Sequence, residues 1–223
     1  MFKKNHTPES QAHDALSADV LQAAQIAQLE QRLEAFEAKY DALYFLTFNA
    51  MDDRAIGALL RAENDYARWF ELLKFAAHRF LVVFTVKDTP GDHVPAPIMR
   101  NLFDAGFTQF RTALWRTYVG IVSCGNTIAQ EANDNEVRSD YVYTSLDGRF
   151  IIDATSQAWR NGNCGDIIIN EENCAANGRG INIVVYDVEK YQVVDSIAAD
   201  FHELDKFQFR HRSFFYEDKP TAE

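Results

Sequence analysis

The sequence predicts an α+β protein, with a mixed β-sheet core flanked by helices and preceded by an N-terminal amphipathic helix. Residues 80–86 and 181–186 are apolar runs rich in β-branched and aromatic side chains, which is typical of strands buried on both faces. Residues 16–43 contain no Gly or Pro and are rich in Ala, Gln, Glu and Leu, which favours a helix. The hydrophobic content of 47% supplies enough apolar surface for a packed core, so the composition argues against a disordered chain.

The N-terminal helix carries an apolar seam with heptad spacing. Its residues recur at alternating steps of three and four positions and are Ile26, Leu29, Leu33, Phe36, Tyr40 and Leu43. Charged residues such as Glu30, Arg32 and Lys39 lie off this seam, as they do in a coiled coil. We therefore predict a homo-oligomer that forms through this helix. A helix that packs on its own domain is the alternative.

Further helices are predicted downstream. Residues 55–78 have a broad apolar face at helical spacing, and Asp52 or Asp53 suits the N-cap of that helix. A shorter helix is predicted at residues 98–105, because two prolines precede this segment and Gly106 follows it at the position of a C-cap.

The remaining patterns are strand-like. Residues 43–48 are a dense apolar run that predicts a short strand, and residues 131–139 are acidic and Asn-rich, which predicts a flexible connection. Other strands are predicted at residues 112–124, 140–144, 149–154, 166–169 and 192–198. The predicted organisation is an N-terminal helical segment (1–46), one domain (47–212) and a C-terminal tail (213–223).

Two stretches of the chain carry ordered motifs. Residues 148–202 contain Asp166-Ile-Ile-Ile-Asn170 and then Gly178-Arg-Gly-Ile-Asn-Ile-Val-Val185. Residues 53–131 contain Val86-Lys-Asp88 and then Leu114-Trp-Arg-Thr-Tyr-Val-Gly120. These stretches resemble the two halves of the interleukin-like EMT inducer (ILEI-like) domain, but here they occur in the opposite order. The resemblance implies a circularly permuted ILEI-like domain in which both halves contribute to one sheet. Half-domains exchanged between subunits are the alternative.

The resemblance also implies a binding site. In a relative, the stem domain of the O-mannose N-acetylglucosaminyltransferase, sugar is held by the Asp of Val-Lys-Asp and the Arg of Trp-Arg, which correspond here to Asp88 and Arg116. A carboxylate accepts hydrogen bonds from sugar hydroxyls, and a guanidinium donates several in fixed geometry. A plain Asp88–Arg116 ion pair is the structural alternative. Lys87, Arg179 and Trp159 are further predicted ligand contacts. For Arg179 the alternative is a solvated side chain, and for Trp159 it is core packing.

These observations favour a non-catalytic carbohydrate-binding module, linked to surface polysaccharide assembly or glycan recognition and made multivalent by the N-terminal helix. The alternatives are a scaffold that binds only protein partners and a glycan-processing enzyme. An enzyme would need a carboxylate pair, but no motif selects Glu171, Glu172 or Asp92 for that role. The sequence has no phosphate loop, nucleophile elbow or metal-ligand spacing, so we expect no cofactor and no metal.

Charge and cysteine content limit the partners and the compartment. The net charge of −11 disfavours binding to nucleic acid or to an anionic membrane. The N-terminus has no secretory pattern, so we expect a cytoplasmic protein, or a phage or viral particle assembled there. In that compartment Cys124, Cys164 and Cys174 are expected to be free thiols, although the spacing of the last two would allow a bridge.

Overall fold

The computed structural model describes residues 8–112, 114–134, 138–202 and 208–212, and the chain divides into two units, residues 1–51 and 52–223. The described part of the first unit is a single helix, α1 (Pro8–Ala50). The second unit contains the other helices, α2 (Asp53–Ala62), α3 (Tyr66–Ala76) and α4 (Ala96–Asp104). Its strands are β1 (Leu81–Asp88), β2 (Thr117–Ser123), β3 (Asn126–Asn133), β4 (Ser139–Thr144), β5 (Ile151–Ala158), β6 (Gly165–Ile169), β7 (Glu172–Asn173), β8 (Gly180–Asp187), β9 (Gln192–Asp200) and β10 (Gln208–His211).

The strands form a mixed sheet that curls into a half-barrel. Its main path runs β10-β9-β8-β1-β5-β6-β7, with β2 and β3 attached to β1 and with β4 attached to β5. All these pairs are antiparallel except β1 with β5. The α+β class with a mixed sheet and flanking helices is therefore confirmed.

Strand β1 is the centre of the sheet because its apolar run can be buried on both faces. One face contributes Leu81 and Val83 to a core inside the half-barrel, together with alternate residues of β2, β5, β6 and β8. On the other face, the ring centroid of Phe84 lies 4.9 Å from that of Tyr118, 4.8 Å from that of Phe110 and 5.3 Å from that of Phe107.

The two apolar runs that predicted the sheet pair directly within one chain. Strands β1 and β8 are antiparallel, with Val83 opposite Val184 and Val86 opposite Ile181. The prediction that both runs lie in one sheet is confirmed. The circular permutation that motivated it stays a prediction.

Several predicted elements are corrected. The strand predicted at residues 43–48 is wrong, because α1 continues as a helix to Ala50. The single helix predicted over residues 55–78 is wrong as well. The chain is extended at Glu63 and Asp65, and the Asp65 carboxylate caps a new helix by accepting hydrogen bonds from the Ala67 and Arg68 N–H groups.

The other corrections concern the strands. The strand predicted at residues 112–124 begins only at Thr117, because Trp115 has a φ of +61°. The flexible connection predicted at residues 131–139 is too long, since β3 extends to Asn133 and β4 begins at Ser139. Residues 135–137 of that connection and the predicted tail at 213–223 lie outside the described residues.

Candidate functional site

The end of β1 is the starting point of the candidate site. Asp88, its last residue, has a φ of +69°, and the Thr89 N–H donates to the Lys87 carbonyl at 2.9 Å. A three-residue turn with a positive central φ has the strained γ-turn form, and a non-glycine residue there costs on the order of 1–3 kcal/mol. Such backbone strain is concentrated at functional sites, so it marks Asp88 as a candidate.

The Asp88 carboxylate is buried without full hydrogen bonding. Its residue is only 9% exposed, and Oδ1 accepts no hydrogen bond from the described residues. Burial raises the pKa of Asp88 above its ordinary value, and the negative charge of Asp200 raises it further. The nearby positive charges of Arg179, His202 and Lys87 lower the pKa but do not outweigh burial. A desolvated acceptor of this kind lacks a donor.

Polar side chains from β1 itself, from the segment before β8 and from the end of β9 lie around Asp88. Lys87 Nζ donates to Asn177 Oδ1 at 2.8 Å, and Arg179 Nε donates to Asp200 Oδ2 at 2.7 Å. The other Asp200 oxygen, Oδ1, accepts from the His202 backbone N–H at 3.0 Å. His202 Nδ1 is a second buried atom with no hydrogen-bond partner among the described residues. We call this set the β1-end cluster: Lys87, Asp88, Asn177, Arg179, Asp200 and His202.

The Gly-Arg-Gly turn before β8 places Arg179 in the cluster. Gly180 has a φ of +88°, and a Cβ atom there would lie 2.4 Å from the Ala199 carbonyl oxygen, so the turn lies flat on β9. The Asn182 side chain fixes the turn by accepting from the Gly178 N–H at 2.9 Å and donating to the Gly178 carbonyl at 2.8 Å. The guanidinium of Arg179 thus reaches the end of β9, where Asp200 lies.

Trp159 stands beside the cluster in the sheet register. Ala158 is paired with Asp88 in the parallel β1–β5 ladder, and Trp159 follows it as the first residue of a 3₁₀ turn (Trp159–Asn161). The alternative that Trp159 packs in the core is wrong, because this residue is 61% exposed.

Arg116 is separated from Asp88 by strand β5. Strands β1 and β2 are paired as far as Thr85 and Val119, and beyond that point β5 pairs with β1 instead. The Ser156 hydroxyl of β5 lies between β1 and β2 where these two strands diverge. It donates a hydrogen bond to the Val86 carbonyl of β1 and accepts one from the Tyr118 N–H of β2 at 3.0 Å.

Arg116 therefore has a different carboxylate neighbour. Its Nε lies 2.9 Å from Asp134 Oδ1 in an ion pair, although it is not aligned for a hydrogen bond. The plain Asp88–Arg116 ion pair that was the structural alternative is wrong. Of the predicted ligand contacts, the structure brings together Lys87, Asp88 and Arg179, and it does not bring Arg116 to them.

Sequence reasoning missed Asn177, Asp200 and His202. A signal for Asp200 was present, because it ends an apolar strand in a carboxylate, as Asp88 does. His202 has no comparable signal, since its role follows from the position of residues 200–202 beside the turn at Gly91.

The three cysteines of the chain are thiols. Cys124, Cys164 and Cys174 are free, which confirms the predicted thiol state. Burial raises the pKa of the Cys164 and Cys174 thiols to about 11, so both are protonated at neutral pH. Over the described ranges, no group of His, Cys, Asp and Glu side chains has the arrangement of a metal site.

Comparisons with known proteins do not assign the chain to a family. No family model matches it, and neither does any curated protein or solved structure. Within the described residues, no helix combines the length and the apolar character that crossing a membrane requires.

Proposed function

We propose that the unit formed by residues 52–223 is a non-catalytic carbohydrate-binding module and that the β1-end cluster binds the sugar. The observation that carries the proposal is the Asp88 carboxylate, which sits in a strained turn and is buried with one oxygen that accepts no hydrogen bond from the described residues. Leaving a buried acceptor in this state costs free energy, which a donating ligand recovers on binding.

The chemistry of the cluster suits a polyhydroxylated ring. A sugar hydroxyl donates to Asp88 Oδ1 while its own oxygen accepts from a neighbouring donor. For that second bond the cluster offers Lys87, Arg179 and His202 Nδ1, which has no hydrogen-bond partner among the described residues. The exposed indole of Trp159 provides an apolar surface on which the C–H face of a ring packs.

The shape of the region favours shallow binding. A cleft lined partly by Arg179 and Asp200 holds only about 40 Å³, which is far below the size of a ligand pocket. We therefore expect weak binding at each site to a chain of sugars that lies along the surface. Surface polysaccharides are ligands of this shape.

Two other functions remain as alternatives to be tested. A scaffold that binds only protein partners would not need the strained carboxylate of Asp88. A glycan-processing enzyme would need two opposed carboxylates, and Asp153 and Glu171 do line a common depression of about 370 Å³. Both residues lie on the β5–β6 part of the sheet rather than in the β1-end cluster.

The test is a glycan array that includes bacterial surface polysaccharides, screened with the purified protein and with the Asp88→Asn variant. Asn keeps the size of the side chain and tolerates a positive φ, so the variant is expected to fold. We expect the affinity of this variant for sugar to fall at least about tenfold. The amide has only one oxygen that can accept hydrogen bonds from sugar hydroxyls, whereas the carboxylate has two and is charged. Calorimetry with the best oligosaccharide then measures the loss.

Arg116→Gln is the matched control, because it also changes one unit of charge at a strand end. If the β1-end cluster is the site, this variant binds like the unchanged protein. Equal losses in Asp88→Asn and Arg116→Gln would support the arrangement implied by the family resemblance instead. Absence of binding by the folded, unchanged protein would refute the carbohydrate proposal and favour the protein scaffold.

A further inference from the structure

We infer that α1 associates with α1 of a second copy of this chain, in parallel and in register, along the seam from Ile26 to Leu43. This inference does not depend on the proposed sugar site, which lies in the other unit of the chain. The charges beside the seam fix the direction of the two helices as well as their association.

The seam is a continuous apolar surface that faces solvent. Its six residues, at alternating steps of three and four, are between 43% and 68% exposed: Ile26, Leu29, Leu33, Phe36, Tyr40 and Leu43. Scattered single apolar residues are normal on a protein surface, but a contiguous stripe of large ones marks an interaction surface. Solvent-exposed residues such as Gln28 and Glu34 occupy other faces of the same helix.

A second copy is the partner that this spacing fits. Ile26, Leu33 and Tyr40 take the a positions of a heptad, and Leu29, Phe36 and Leu43 take the d positions. Each such side chain needs a hole formed by four residues of a facing helix with the same repeat. Another copy of α1 supplies that repeat over the same length.

The flanking charges determine the direction. With this assignment, the e positions carry Glu30 and Glu37, and the g positions carry Arg32 and Lys39. The place of Glu37 follows from its heptad position and its charge alone. In a parallel pair each g residue faces the e residue five positions further along the other helix, so Arg32 faces Glu37 of the second copy.

An antiparallel pair is disfavoured by the same residues. Maximal overlap of the seam would bring Ile26 of one copy to Leu43 of the other, so that e residues face e residues and g residues face g residues. Glu30 would then lie near the second Glu37, and Arg32 near the second Lys39. These contacts join like charges, so the sequence selects the parallel direction.

Charge exchange tests the pairing in the full-length protein. Arg32→Glu places two carboxylates opposite each other, and Glu37→Arg places two cations there. We expect each variant alone to weaken self-association on the order of tenfold by analytical ultracentrifugation. An equimolar mixture is expected to regain the affinity of the unchanged protein, because both facing pairs become attractive. A monomeric unchanged protein, or a mixture that stays weak, would overturn the inference.

Cross-linking tests the direction independently. A cysteine from Leu29→Cys lies opposite its own counterpart in a parallel, in-register pair and forms a disulfide at residue 29, detected by peptide mapping. In the antiparallel arrangement residue 29 lies opposite residue 40, and no such disulfide forms. Gln28→Cys, one position away and off the seam, is the control that should not cross-link. Failure of Leu29→Cys to cross-link, in a protein that still associates, would refute the parallel direction.

Discussion

His211 is held between two hydrogen-bond acceptors at the edge of the sheet. Its Nδ1 lies 3.0 Å from Asp195 Oδ1, and its Nε2 lies 2.7 Å from the Glu63 carbonyl oxygen. The second Asp195 oxygen accepts from the buried Trp69 indole N–H at 2.8 Å. Because both ring nitrogens face acceptors, the arrangement is satisfied fully only by the doubly protonated imidazolium. His211 thus links β10 to the segment between α2 and α3 through a charge.

We predict that His211→Gln destabilises the protein in a pH-dependent way. Burial disfavours the charged ring, but the hydrogen bond to Asp195, the charge of Asp195 and the Glu63 carbonyl together raise the pKa of His211 above its ordinary value. A raised folded-state pKa gives stability that is fully present below the unfolded pKa and is lost as the pH rises through the folded one. Chemical unfolding should therefore show a difference of about 2 kcal/mol near pH 5.5 that shrinks near pH 9.

The surface residue His93 provides the control for this experiment. His93→Gln also removes a histidine, but from an exposed loop position, so its effect on the free energy of unfolding should be small at every pH. A His211→Gln difference that stays constant from acid to alkaline pH would mean that packing, and not the imidazolium, provides the stabilisation.

The candidate site shows how far single residues could be predicted from the sequence. The prediction of Asp88 came from the family resemblance, and that of Arg179 from a Gly-Arg-Gly turn before a strand whose apolar run is easy to recognise. The meeting of Asp88 with Arg116 that the resemblance implied does not occur, because β1 and β2 are paired only as far as Thr85 and Val119. The intervening β5 belongs to a distant part of the chain, and its parallel contact with β1 covers only Lys87 and Asp88. No local pattern encodes so short a ladder.

At the level of elements, the Gly-Arg-Gly turn depends on the absence of a side chain at Gly180. We predict that Gly180→Ala destabilises the protein by about 3 kcal/mol. A positive φ costs an alanine about 1 kcal/mol, and displacing the backbone carbonyl of Ala199, which a Cβ would meet at 2.4 Å, costs roughly 2 kcal/mol more. Thermal and urea unfolding measure the change. Since the same turn positions Arg179, the variant should also lower the affinity for any ligand that contacts the Arg179 side chain.

Gly148→Ala separates the two contributions. Gly148 also has a positive φ, +68°, but a Cβ there would meet no atom within 4 Å. This variant should lose only the backbone contribution of about 1 kcal/mol. Equal losses in Gly148→Ala and Gly180→Ala would show that the turn moves away from β9 at little cost.

The elements that the sequence predicted well are those with strong apolar patterns. Strands β1 and β8 are buried along almost their whole length, so their composition alone identifies them. Strand β3 was missed because all its residues are polar or only half-buried, and β7 because it has only two residues. These strands form because a neighbour offers unpaired backbone groups, and this information is not local.

At the scale of the whole molecule, an α1 pair joins two copies of the unit of residues 52–223 in one assembly. Two weak sugar sites on one assembly can then engage the same polysaccharide. The second binding event becomes intramolecular, so the assembly remains bound for longer than a single unit would. This consequence rests on both the proposed function and the association of α1.

We therefore predict that Leu33→Glu, which places a charge in the α1 seam, accelerates dissociation from an immobilised polysaccharide by about a hundredfold. Its affinity for a short oligosaccharide in solution should not change, because the β1-end cluster is untouched. Surface plasmon resonance measures the first quantity and calorimetry the second. Gln28→Glu adds the same charge to an exposed position off the seam and should affect neither. If Leu33→Glu dissociates as slowly as the unchanged protein, α1 contributes no avidity, and the helix must act by some means other than joining two sugar sites.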